Sequence, residues 1–126
     1  MPVLNEGQYA AEFIVSEANG FRSREVITLA SNGSTPITYK AGHVLAKVTA
    51  SGKYVEYDNV GSDGTEVAAV ILYANVTVPA TGDLKATAIV RDAEVNKSAL
   101  IWFSGALDAD KTAAYTDLAA AGIIAR

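Results

Sequence analysis

The chain has 126 residues, a net charge of −4, no cysteine and a single histidine. That size suits one domain with its own core, while the cysteine and histidine counts exclude disulfide staples, thiolate chemistry, Cys-based zinc sites and a multi-histidine metal centre within one chain. Acidic and basic groups are spread evenly, five basic and seven acidic in each half, so there is no basic stripe to neutralise phosphates, and nucleic acid is not an expected partner.

Residues 1–11 include Pro2 and Gly7 and follow neither the helical nor the strand period. They read as an arm held loosely in the isolated protein. No basic stretch followed by an apolar run marks a secretory signal there. Phe13-Ile14-Val15 is a short apolar, extended run, and Asn19-Gly20 turns the chain.

Ser23 to Ala30 alternates, with Val26 and Thr28 on one face and Glu25, Ile27 and Leu29 on the other, which predicts a strand. After the loop through Ser31-Asn32-Gly33, Ile37 to Tyr39 extends again. Ala41-Gly42 turns into His43–Thr49, and Ser51-Gly52 turns that segment into Tyr54–Tyr57. This pair is the clearest hairpin in the sequence. Residues 58–65 form a polar loop. Val67 to Val76 is almost continuously apolar, as a strand buried on both faces would be. It is also the longest apolar stretch, well short of the ~20 residues a membrane helix needs, so no membrane partner is expected.

Leu84 to Arg91 alternates again. Leu84, Ala86, Ala88 and Val90 face inward, leaving Lys85, Thr87, Ile89 and Arg91 outward, with Ile89 an apolar exception that suits a subunit contact. Ala99 to Phe103 is a further short apolar run. Lys111 to Ala121 is the one clear helix, with Asp108 or Asp110 placed to accept amide protons at its start. Ala114, Leu118 and Ala121 share its apolar face. Gly122 stands where a left-handed cap residue belongs, with Ile123 placed to touch Leu118.

Chemistry-bearing residues are sparse. His43 lacks a nucleophile elbow to serve and reads as a surface or edge-strand histidine rather than a general base. Asp58, Asn59, Asp63 and Glu66 share a loop whose spacing does not fit an EF-hand and reads as a solvated segment. Asp108, Asp110 and Asp117 could pair as acid and base, but capping explains the first two more simply. The glycines are scattered singly, so no phosphate cradle is present. No catalytic residue, metal ligand or cofactor is assigned. Arg91-Asp92-Ala93-Glu94-Val95-Asn96 reads as a polar strand end with local ion pairs, or as a small contact cluster. Trp102 and Phe103, in a strand, would point to opposite sides; both fill the core, or one faces it while the other, Trp102 as the interface candidate, meets a partner.

Several stretches, in order, resemble the head decoration protein family of tailed bacteriophages. They are residues 13–25 (FIVSEANGFRSRE), 41–47 (AGHVLAK), 51–54 (SGKY), Asp63-Gly64 leading into Val70-Ile71-Leu72, residues 90–96 (VRDAEVN) and Gly122-Ile123. The resemblance implies a mainly β (α+β) fold. Its form would be a small compact β-barrel or β-tulip-like body over residues 16–126, with a short C-terminal helix and a flexible N-terminal arm over 1–15. It implies a structural protein, not an enzyme. This would be a homotrimer at quasi-threefold sites on the outer surface of the expanded virion head, assembled in the bacterial host cytoplasm, stabilising the shell against DNA pressure. Its partner would be the major capsid protein. Val3, Leu4, Phe13, Ile14 and Val15 are the expected capsid-binding residues of the arm, which adds a strand to the shell. Ile89, Arg91, Glu94, Asn96 and Trp102 are the candidate interface residues of the body. Without the resemblance, the residues also fit a non-catalytic β-rich module that binds a ligand, peptide or receptor.

Overall fold

Ten strands, one 3₁₀ turn and one helix are present among residues 9–126, the part of the chain that this computed structural model describes. In chain order they are β1 (Ile14–Glu17), β2 (Arg24–Leu29), β3 (Ile37–Tyr39), β4 (Val44–Lys47), β5 (Tyr54–Glu56), β6 (Ala68–Leu72), β7 (Val76–Val78), β8 (Leu84–Ile89) and β9 (Ala93–Val95). A 3₁₀ turn (Lys97–Ala99), α1 (Asp108–Ala120) and β10 (Ile123–Ala125) complete the chain. The fold is mainly β, as the sequence leads one to expect.

Strands β2, β5, β4, β6 and β8 close into a barrel in that order. The expected hairpin is there: β4 and β5 pair antiparallel, with Lys47 opposite Tyr54. Closure is uneven. β2 runs antiparallel to β8 along its whole length, from Arg24↔Ile89 to Leu29↔Leu84. It meets β5 only at Leu29↔Tyr54. Ile27, Leu29, Leu45, Val70, Leu72, Ala86 and Ala88 fill the barrel, joined by Tyr39 and Val78 from the small antiparallel β3–β7 sheet. Small side chains suffice because a five-stranded barrel leaves little interior volume.

A second core lies outside the barrel wall. The three-stranded sheet β1-β9-β10 and α1 provide Ala93, Val95, Ala114, Leu118 and Ile123, which with Phe13 in the turn before β1 pack on Val44, Ala46, Ala68, Ile71 and Ile89. Strands β4, β6 and β8 thus carry buried side chains on both faces. A β-bulge helps arrange this. Leu45 pairs with Val70 but Ala46 pairs with Ala68, so Ala69 is the extra residue. The bulge breaks the strict alternation, and Ala68 reaches the outer core while Val70 and Leu72 point into the barrel.

Four sequence expectations are corrected here. The apolar run Val67–Val76 is two strands in two sheets, β6 and β7, broken at Tyr73-Ala74-Asn75. Ile89 is fully buried; its outward face is the one that the second layer covers, which alternation alone does not reveal. Phe13 is likewise fully buried in the outer core, and Ile14 packs against that core and pairs with Val95. The anchored body therefore begins before residue 16. Finally, Ala121 is exposed and lies just past α1, while Ala114 and Leu118 are buried as expected.

The helix start is tied to the polar loop. Asp110 accepts the Leu107 amide proton on Oδ2 at 2.9 Å and the Asn59 side-chain amide on Oδ1 at 3.0 Å. Asp117 accepts the Ala68 amide proton at 3.1 Å, joining the helix to the first residue of β6. At the helix end Gly122 adopts φ +88°, a region costly for residues with a Cβ, and Ile123 drops into the core. Among the described residues no helix is long and apolar enough to cross a membrane.

Candidate interaction surfaces

The polar groups that sequence reading singles out are mostly occupied within the chain. His43 is buried, not on the surface, with Nε2 2.5 Å from Glu56 Oε2 and its ring edge-on to Tyr39 at 5.0 Å. The β-bridge to Ile101 covers it. The pair ties the residue before β4 to the end of β5. In the 58–66 loop, Asp63 accepts from the Thr65 hydroxyl at 2.6 Å and Glu66 from the Gly64 amide at 2.9 Å. The Thr65 hydrogen bonds hold the Asp63 carboxyl below the usual carboxylate range. Among the described residues no group of three or more His, Asp or Glu is gathered as a metal site would require.

The polar strand end around β9 is similarly committed. Arg91 donates to the Arg22 carbonyl at 2.7 Å and to Glu25 at 2.5 Å. Glu94 accepts from Ser16 at 2.8 Å and Arg126 at 2.7 Å, and these bonds lower its pKa. Asn96 caps the 3₁₀ turn by accepting from the Ser98 amide at 3.1 Å. Nearby, Glu17 takes the fully buried Ser23 hydroxyl at 2.5 Å and a two-pronged contact from Arg24. The Arg24 hydrogen bonds outweigh desolvation and depress the Glu17 pKa. Arg24 also stacks 4.4 Å from the Tyr73 ring centroid.

Trp102 and Phe103 are not in a strand and do not diverge. Both turn edges toward Tyr57, with ring centroids 6.3 and 5.9 Å away, and Trp102 also meets Tyr115 at 5.6 Å. A loop backbone is free of the strand rule that sends neighbours to opposite faces. Tyr57 is itself buried, its hydroxyl donating to the Asp110 carbonyl at 2.9 Å. Burial is the main reason its pKa is pushed up to about 12.

Several large apolar side chains are exposed. Phe21 is 80% exposed and Val26 66% exposed. With Arg24, Glu25, Tyr73 and Thr87 they line a cleft of about 470 Å³ on the outer face of β2–β8. A second apolar pair, Val60 (85% exposed) and Leu107 (68% exposed), flanks the Asp110 carboxylate that joins the polar loop to the helix. Val15 is also more than half exposed, whereas Ile14 is partly covered. Of the expected arm residues, Val3 and Leu4 lie outside the described residues. The interface candidates are not gathered into one patch: Ile89 is core, Arg91, Glu94 and Asn96 are engaged in local bonds, and Trp102 belongs to the aromatic group. Sequence reading put Val26 on the face opposite Ile27 and Leu29, and that was the available signal for it. Phe21, Val60 and Leu107 sit in turns and at a helix boundary, where no periodicity reports exposure.

A small β body whose singled-out polar side chains serve its own architecture, and which exposes several large apolar side chains, belongs to the class of protein-contact modules. The particular family follows from the sequence match: the chain belongs to the bacteriophage lambda head decoration protein D family, whose model spans residues 3–123. No curated protein matches it. It is thus a phage head decoration protein, a member of a structural family of the virion capsid, and the capsid is its partner.

Proposed function

We propose that this protein binds the exterior of the expanded head as a homotrimer at quasi-threefold sites and stabilises the shell against the pressure of packaged DNA. The family match over nearly the whole chain carries this reading. The N-terminal segment, with Val3 and Leu4, is the proposed contact with the major capsid protein, adding a strand to it through main-chain hydrogen bonds. Phe13 anchors the body instead, and Val15 at the exposed side of β1 is where the contact would pass from segment to body.

Three segments on one trimer multiply a weak contact into avidity of roughly 10²–10⁴ when all engage. Ordering each segment costs about 1–2 kcal/mol per residue in backbone entropy. Binding should therefore need the mature lattice, where several contacts form together. The test is to mix the purified protein with expanded and unexpanded shells and image both. Decoration of expanded shells alone, at threefold positions, is the expected result. Deleting residues 1–8 should leave a folded body that no longer decorates them; normal decoration by that truncation would overturn the arm contact.

A further inference from the structure

We propose that the threefold assembly is a head-to-tail ring in which the Phe21–Val26 cleft of one copy receives Val60 and Leu107 of the next. The inference rests on the trimer reading above and gives it a location. In a closed threefold ring each copy touches its neighbour through two different patches, one giving and one receiving. The described surface carries two such patches. One is concave and apolar, the cleft lined by Phe21, Val26, Tyr73 and Thr87. The other is a protruding pair, Val60 on its loop and Leu107 at the helix start, fixed to each other's segments by the Asp110 carboxylate.

Their charges are complementary. Lys85 lies two residues from Thr87 on β8, so it shares the outer face with the cleft, and β2 sets Thr28 opposite it and Val26 opposite Thr87. It is exposed and, among the described residues, has no ion-pair partner. The three arginines around the cleft, Arg22, Arg24 and Arg91, are each matched by Asp92, Glu17 and Glu25, so Lys85 is the uncompensated cation. The opposite patch is acidic: Asp58 precedes Val60 by two residues and holds its amide at 3.1 Å, and Asp108 follows Leu107. Docking would bury the four exposed apolar side chains together and bring Lys85 to the Asp58–Asp108 side. Large apolar side chains left bare on a surface invite unspecific association; a closed ring leaves none of the four uncovered.

The full-length chain is tested by sedimentation equilibrium. Wild type should have the mass of three copies. Val26→Glu and Leu107→Glu should each be monomeric, with wild-type circular dichroism, since both side chains are exposed. Mixed in equal amounts, the two variants retain one good interface between them and should form a dimer and nothing larger. Lys85→Glu or Asp108→Lys alone should weaken the trimer by roughly tenfold, and the double variant should recover most of that loss. A persisting trimer in Val26→Glu and Leu107→Glu, or no dimer in the mixture, overturns the ring. If those variants stay trimeric but no longer decorate expanded shells, the patches face the shell protein instead. A monomeric wild type would sink the trimer reading itself, a distinct failure.

Discussion

The barrel core and the outer core are built from the same wall strands yet differ in kind. The barrel interior is aliphatic apart from Tyr39 and is supplied mainly by strands paired side by side in ladders. The outer core draws Phe13 from near the start of the chain, Tyr57 from a loop edge, and Leu118 and Ile123 from its end. It is aromatic-rich and held at its margins by specific polar bonds: Tyr57 to Asp110, Asp117 to Ala68, and Glu17 to Ser23 and Arg24. The comparison teaches where the molecule can be loosened. The barrel is secured by its own strand pairing. The outer layer is secured by a few long-range anchors, and from it the N-terminal segment departs.

The largest expected effect comes from removing the main aromatic anchor. Phe13→Ala should cost about 3–5 kcal/mol, and native-state hydrogen exchange should rise in β9 and β10 before β4 and β6. Equal exchange in both regions would mean that the two cores unfold as one. Gly64→Ala tests the junction. Gly64 has φ +105°, and an added Cβ would sit 2.4 Å from the Lys47 carbonyl oxygen, a backbone atom at the end of β4. A loss of roughly 1–3 kcal/mol is expected, read as a lowered midpoint in urea. Tyr57→Phe, smaller still, should cost about 1 kcal/mol, with the near-ultraviolet signal of Trp102 altered because the ring it packs on has lost its hydroxyl anchor.

Two titrations sharpen the same contrast. The folded state depresses the Glu17 pKa below its ordinary value of 4.5, the Arg24 hydrogen bond being the largest cause. Its stabilisation is therefore present above that value and is lost as pH falls through the lower folded pKa. Glu17→Gln should flatten the acid limb of a stability–pH curve and leave neutral pH less stable than wild type. Tyr57 behaves oppositely. Its folded pKa of about 12 exceeds the ordinary value of 10.0, so the neutral phenol stabilises the fold below pH 10 and that contribution is lost as pH climbs toward 12. In Tyr57→Phe the alkaline limb should shift upward.

The sequence by itself determined the local elements. Alternation in 23–30 and 84–91, the Ser51-Gly52 hairpin and the Asp-capped helix with Gly122 behind it were all legible, because turn residues and strand or helix periods act over a few neighbours. The family resemblance, carried by runs such as 13–25 and 90–96, was legible too, and with it the role on a phage head. Which faces were covered was not. Ile89 reads outward on a strand whose outer face turns out to lie under a second layer, and Phe13 reads as part of an arm although it seals that layer. His43, a surface histidine by its neighbours, is buried by Glu56, Tyr39 and Ile101. The covering groups come from segments tens of residues away, so no local pattern records them. By the same logic the exposed Phe21, Val26, Val60 and Leu107 became a pair of patches only when the tertiary structure decided that nothing among the described residues packs over them.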